Sequence, residues 1–222
     1  MDAHEEEQIA ALKQWYSDYG SKILLAIAVV LAAWFGYQFY EKKQQDSLSK
    51  ASILYTQLAR TMETGIKDKE SRLMFDEIYG YLSTDYKDSI YATYAAFMRA
   101  SLDVQENDLD QAAQTLQWIV DKGKKPKEMH ELAVLRLARV KAAQGDLDSA
   151  LGLLDQGSTI FVSEYAEARG DILMRQNKTD EALTAYQKAK ETSFSKRPGT
   201  LLDLKIDGIK QDPDALISIK VQ

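Results

Sequence analysis

No cysteine occurs anywhere in the 222 residues. That excludes disulfides, thiol catalysis and cysteine-ligated zinc or iron–sulfur sites. It leaves the redox compartment open, because a domain of this size is stable without cross-links. There are only three prolines and 11 glycines, too few for a loop-rich sandwich and suited to helices. The formal net charge of −6 argues against a nucleic-acid binder, whose affinity rests on clustered Lys and Arg facing phosphates. Alternating Val, Ile and Thr runs bounded by turns are missing, so no sheet is expected.

Catalytic patterns are scarce as well. The two histidines are His4 and His130, and His130 is followed at i+3 and i+4 by Ala133 and Val134, which ligate no metal. No Walker loop, dinucleotide fingerprint or G-x-S-x-G turn is present. Acidic pairs such as Asp146 with Asp148, or Asp180 with Glu181, open expected helices, where favouring the positive dipole end explains them. The expectation is a protein that is not an enzyme and takes no cofactor or metal.

What the chain does have is one long apolar run. Ile23 to Tyr40 is 18 residues without charge, roughly 27 Å as a helix and close to a bilayer's hydrocarbon thickness. Trp15, Tyr16 and Tyr19 precede it; Trp34, Tyr37 and Tyr40 close it, with Lys42 and Lys43 beyond, the residue types that favour a membrane interface. A cleaved signal peptide opens with a basic segment, whereas this chain opens MDAHEEEQ and has no small-residue cleavage site after the run. A membrane anchor is expected, with Ile23, Leu31, Trp34 and Tyr40 in contact with lipid. Lys13 and Lys22 before the run balance Lys42, Lys43 and Lys50 after it, so the positive-inside rule leaves its orientation open.

The second half hides a repeat. RASLDVQENDLDQAAQTLQW from Arg99, LARVKAAQGDLDSALGLLDQ from Leu137 and RGDILMRQNKTDEALTAYQK from Arg169 align. Small residues recur twelve positions apart at Ala100 and Ala112, Ala138 and Ala150, Gly170 and Ala182. Turn residues fall at Asn107, Gly145 and Asn177, and large ones at Leu116, Leu154 and Tyr186. Small residues let two antiparallel helices approach, the large one fills the groove, and Gly or Asn accepts the left-handed angle that ends the first helix. Asp146 and Thr179 are expected N-caps. Upstream, helices are expected over about Asp46–Thr64, Lys69–Ser83 and Asp88–Val104. Pro126 belongs to the first turn of another, Arg197-Pro198-Gly199 breaks the chain, and LLDLKIDGI caps the array.

These segments resemble the tetratricopeptide repeat, with periods of 38 and 32 in place of a strict 34. The fold class is therefore all-α: one N-terminal transmembrane helix followed by a tetratricopeptide-repeat-like α-solenoid of antiparallel helix pairs. In that alignment the groove-facing positions fall on Tyr94, Phe97 and Ser101, on Leu132, Leu135 and Arg139, and on Glu167, Asp171 and Arg175. The candidate partner-binding groove is Tyr94, Phe97, Arg139, Glu167, Asp171 and Arg175.

With LRLARVKAAQGDLDSALGLLD and YAEARGDILMRQNKTDEALTAYQKA behind an acidic start and a single anchor, the layout resembles the YfgM family of Gram-negative bacteria. The resemblance implies a single-pass protein of the bacterial inner membrane. Residues 1–22 would form a cytoplasmic tail, 23–40 the membrane helix and 41–222 a periplasmic repeat domain. It implies an ancillary subunit of the SecYEG translocon, working beside a membrane-anchored, parvulin-like chaperone of the PpiD type. Its partners would be that translocon, that chaperone, membrane lipid and unfolded client polypeptides, with no nucleic acid. The alternative from another class is a regulatory adaptor whose acidic tail, Asp2 to Asp18, sequesters a cytoplasmic signalling regulator.

Overall fold

The computed structural model describes residues 3–66, 68–123, 126–194 and 199–211; of residues 3–7, 10–12, 18 and 23 it describes the backbone alone. Helices follow one another without strands among the described residues. They are α1 (Ala3–Thr64), α2 (Lys69–Thr84), α3 (Ile90–Gln105), α4 (Leu109–Asp121), α5 (Lys127–Ala143), α6 (Leu147–Leu154), α7 (Val162–Arg175), α8 (Thr179–Thr192) and α9 (Leu201–Gln211). The chain divides into two compact units, Met1–Ile53 and Leu54–Gln222.

The first unit is helix alone. α1 is the one helix among the described residues long and apolar enough to cross a membrane. From Leu24 to Tyr40 every side chain is exposed, Leu31 to 47 %, Trp34 to 52 % and Tyr40 to 65 %. A helix that is apolar all round and uncovered by protein has hydrocarbon as its natural solvent. Tyr19 stacks with Trp15 at 6.3 Å and receives the Lys22 ammonium over its face at 5.3 Å. Of the expected anchor residues, the Ile23 side chain lies outside the described residues, as do the side chains of Glu5, Glu6 and Glu7.

The expected fresh start near Asp46 is replaced by continuity: α1 passes through that point unbroken to Thr64. Between Gly36 and Gly65 there is neither glycine nor proline, so nothing in the backbone chemistry stops the helix earlier. Gly65, at φ 82°, ends it.

In the second unit the expected hairpins form. α3 pairs with α4, α5 with α6 and α7 with α8. The three turn residues all adopt left-handed angles, Asn107 at 62°, Gly145 at 88° and Asn177 at 61°. At the crossings Ala100, Ala112, Ala138, Ala150 and Ala182 are all buried, as is Gly170. Each core cluster spans a hairpin and the helix after it. Ala100, Ala112 and Leu116 pack with Leu137 of α5, while Ala138, Ala150 and Leu154 pack with Tyr165 and Ile172 of α7. Tyr186 and Ala182 pack with Ile206 and Ile209 of α9. Neighbour-on-neighbour burial is how a solenoid is stabilised, and α9 closes the end of the row.

Helix starts follow local chemistry. Asp68 accepts from Ser71 N at 2.8 Å and the Ser71 hydroxyl answers the Asp68 backbone, a reciprocal capping box. Ser89, Asp108 and Asp146 cap α3, α4 and α6 through Ala92 N, Gln111 N and Ser149 N. Thr179, the expected cap of α8, is instead its first helical residue. Lys178 stands at the cap position and no side chain bonds the helix start there. Pro126 likewise stands just before α5 rather than inside its first turn. Arg197 and Pro198 lie outside the described residues.

Candidate partner-binding surface

The proposed groove positions are carried by α3, α5 and α7, the first helix of each hairpin. On α3, Tyr94 is half-buried with its ring 5.7 Å from that of Tyr55. Phe97 is only 7 % exposed and belongs to the core. Its outer face is covered by the Arg136 guanidinium, 4.9 Å from the ring centroid. Leu135 is also core, 2 % exposed.

On α7 the acidic pair is already engaged. Lys205 of α9 donates to Glu167 Oε1 at 2.8 Å and to Asp171 Oδ1 at 2.6 Å. Tyr186 Oη donates to the same Asp171 oxygen at 2.8 Å, and the Lys205 ammonium lies 5.4 Å from the Tyr186 ring centroid. Burial and the Asp171 charge together push the Tyr186 phenol well above its usual range. Burial works against the Lys205 charge, yet its bonds to Asp171 and Glu167 outweigh burial and raise its pKa. Arg175 donates to the Ala142 carbonyl at 3.0 Å and so tethers α7 to the end of α5.

Arg139 is exposed, as is Arg175, and Arg136, one turn before Arg139, is exposed as well. Burial, and then the like charge of Arg139, lower the Arg136 pKa. Beneath the two guanidiniums lies a depression of about 280 Å³ floored by Ala100, Val104, Leu109, Leu116 and Val140. The sequence reading missed Arg136, although its i, i+3 spacing from Arg139 was visible.

A second polar centre escaped the sequence altogether. Glu131 of α5, 6 % exposed, grips the linker between α6 and α7. Its carboxylate accepts from Thr159 N at 3.2 Å, Ile160 N at 3.1 Å and the Ser158 hydroxyl. Lys127 stands 3.6 Å away. Burial disfavours the carboxylate, but these bonds and Lys127 together hold its pKa below the usual range. Tyr165 Oη donates to the Glu131 carbonyl at 2.7 Å, and burial beside the Glu131 charge pushes that phenol up to about 12.

Asp110 and Asp148, at matching places in the first two repeats, join neighbouring hairpins. Gln144, at the end of α5, donates to Asp110 of α4 at 2.6 Å, and Gln176, at the end of α7, donates to Asp148 of α6 at 2.9 Å. Each bond ties one hairpin to the next.

The family model described as a tetratricopeptide repeat-like domain matches residues 13–211. The chain belongs to this family. The resemblance to YfgM proteins is borne out by relatives among known proteins. A protein of Neisseria gonorrhoeae named "Ancillary SecYEG translocon subunit" is 26% identical over 214 residues, 95% of this chain and 100% of its own length. Proteins of the same name from Escherichia coli and Haemophilus influenzae are each 23% identical. The first match covers 93% of this chain and 97% of the relative, the second 85% and 89%.

Proposed function

We propose that this chain is an ancillary subunit of the SecYEG translocon that works as a scaffold and catalyses nothing. The observation that carries the reading is end-to-end similarity, through helix α1 as well as the repeats, to relatives bearing that name. The uncovered apolar stretch of α1 supports a single membrane crossing over residues 23–40. In this reading, which follows from the likeness to translocon subunits, residues 1–22 face the cytoplasm and 41–222 the periplasm; flanking charge does not oppose it, because long domains translocate largely regardless of charge. The repeat domain links emerging periplasmic polypeptides to a membrane-anchored, parvulin-like chaperone. Anchoring confines it to the membrane plane, which raises its effective concentration near the translocon exit and makes weak contacts sufficient.

The test is affinity purification of the full chain from gently solubilised membranes, beside a variant in which Ile23–Tyr40 is replaced by an unrelated membrane helix. Translocon subunits and a periplasmic chaperone should co-elute with the native protein and fall away from the variant. Recovery of neither with the native protein would sink the proposal. A chaperone that stays with the translocon when Asp46–Gln222 is deleted would overturn the linking role.

A further inference from the structure

We infer that Arg136 and Arg139, with the apolar depression beneath them, form a docking site for an acidic segment of a partner polypeptide, in which a carboxylate is flanked by aliphatic side chains. The inference rests on the scaffold reading and names the chemistry of what the repeat surface holds.

Among the arginines of α2 to α8 these two stand apart. On α2 to α8, Arg72 pairs with Asp76 and Glu106, Arg99 with Asp76 and Asp103, Arg169 with Asp155, and Arg175 with the Ala142 carbonyl. Arg136 and Arg139 have no carboxylate or carbonyl acceptor among the described residues, in a chain whose net charge is −6. The neighbouring charge that lowers the Arg136 pKa is that of Arg139, and it acts by repulsion. Two neighbouring cations left uncompensated in an acidic protein are complementary to an external anion.

The site is also prepared for that anion. Arg136 is held by its stack on Phe97, so less freedom is lost when its planar fork binds a carboxylate. Apart from the Ser101 hydroxyl the rest of the lining is hydrocarbon: Ala100, Leu109, Leu116, Val140 and Ala143, with Val104 44 % exposed. A hollow of about 280 Å³ is smaller than most small-molecule pockets and suits single aliphatic side chains. Polymeric phosphate is disfavoured, because two arginines are a small cationic patch on a protein that repels polyanions overall. At the far end of the same helix row, Lys205 already sits on Glu167 and Asp171. The acceptor positions there are filled from within, whereas the donors of α5 remain open.

The test uses the full-length protein in discs of neutral lipid and a fluorescein-labelled peptide, Gly-Leu-Glu-Leu-Glu-Leu-Gly, read by anisotropy. Binding should be about tenfold tighter than for the same peptide with glutamine in place of glutamate. That preference should vanish in the double variant R136Q/R139Q. Val104→Glu, which leaves both arginines and puts a carboxylate at the edge of the hollow, should weaken binding by a similar factor. R139Q alone, at an exposed side chain without a partner, guards against loss of fold and should lower affinity about threefold. Equal affinity for the two peptides, absence of binding, or a preference that survives R136Q/R139Q would overturn the site. Anionic vesicles that displace the peptide through the same two arginines would overturn the choice of a polypeptide. If the preference is absent while translocon subunits still co-purify, this inference fails and the translocon reading stands. If the preference holds and co-purification fails, the reverse is true.

Discussion

Gly170 lies directly under the Tyr186 ring: a Cβ added to it would stand 2.4 Å from Cε1. Helix α7 can approach α8 this closely because the position carries no side chain. Tyr186 cannot easily yield, since its hydroxyl is bonded to Asp171 and its ring is 3 % exposed.

Gly170→Ala is therefore a conflict of two effects. Alanine gains about 1 kcal/mol of helix propensity, while overpacking against a fixed ring costs typically 1–3 kcal/mol. At this distance the clash should win, with net destabilisation of up to about 2 kcal/mol in urea unfolding. Combining Gly170→Ala with Tyr186→Leu should recover part of the loss, and a strictly additive double mutant would argue against the contact.

The left-handed turns offer a cleaner sign. Asn177 at φ 61° holds an angle that glycine adopts without strain. Asn177→Gly should be near neutral, whereas Asn177→Ala should destabilise by about 1 kcal/mol. Thermal unfolding of both would separate turn geometry from loss of the amide.

Helix α8 lacks the cap that α4 and α6 receive from Asp108 and Asp146. Installing it with Lys178→Asp should stabilise the repeat domain by about 0.5–1 kcal/mol. The gain should shrink at acidic pH as the new carboxylate protonates. No change at neutral pH would mean that the nearby Asp180 and Glu181 cancel it by repulsion.

Glu131 should make stability depend on acid. Unfolded, the group titrates near 4.5; folded, its pKa is lower. The charged form is the one the fold prefers, so its contribution is complete above 4.5 and fades as pH falls through the folded value. Glu131→Gln should be less stable than the native protein at pH 7 and should lose less on going to pH 3. Parallel urea titrations at the two pH values measure both quantities.

The hairpins could be read from sequence because their requirements are local. A left-handed backbone restricts Asn107, Gly145 and Asn177 to few residue types, and a close crossing restricts Ala100, Ala138 and Gly170 to small ones. Contacts between elements leave no such mark. Lys205 meets Asp171 from 34 positions away, and nothing in either neighbourhood announces it. Phe97 and Arg136 were hidden for the same reason: periodicity puts Phe97 on a helix face, but only packing decides whether that face is open. The missing break near Asp46 belongs to a third kind. A change from apolar to polar composition alters what surrounds a helix without altering its hydrogen bonds.

The grip of Glu131 on the α6–α7 linker has a consequence for how the family can vary. At residues 159 and 160 it reads backbone N–H groups, which every amino acid except proline supplies. Drift in side-chain identity should therefore be tolerated at 160, and at 159 at the cost of a long 3.5 Å hydroxyl contact to Glu131, whereas the acid at 131 and the hydroxyl at 158 are tied to their chemistry. A hairpin array held in this way can change the wording of this connection and keep its punctuation.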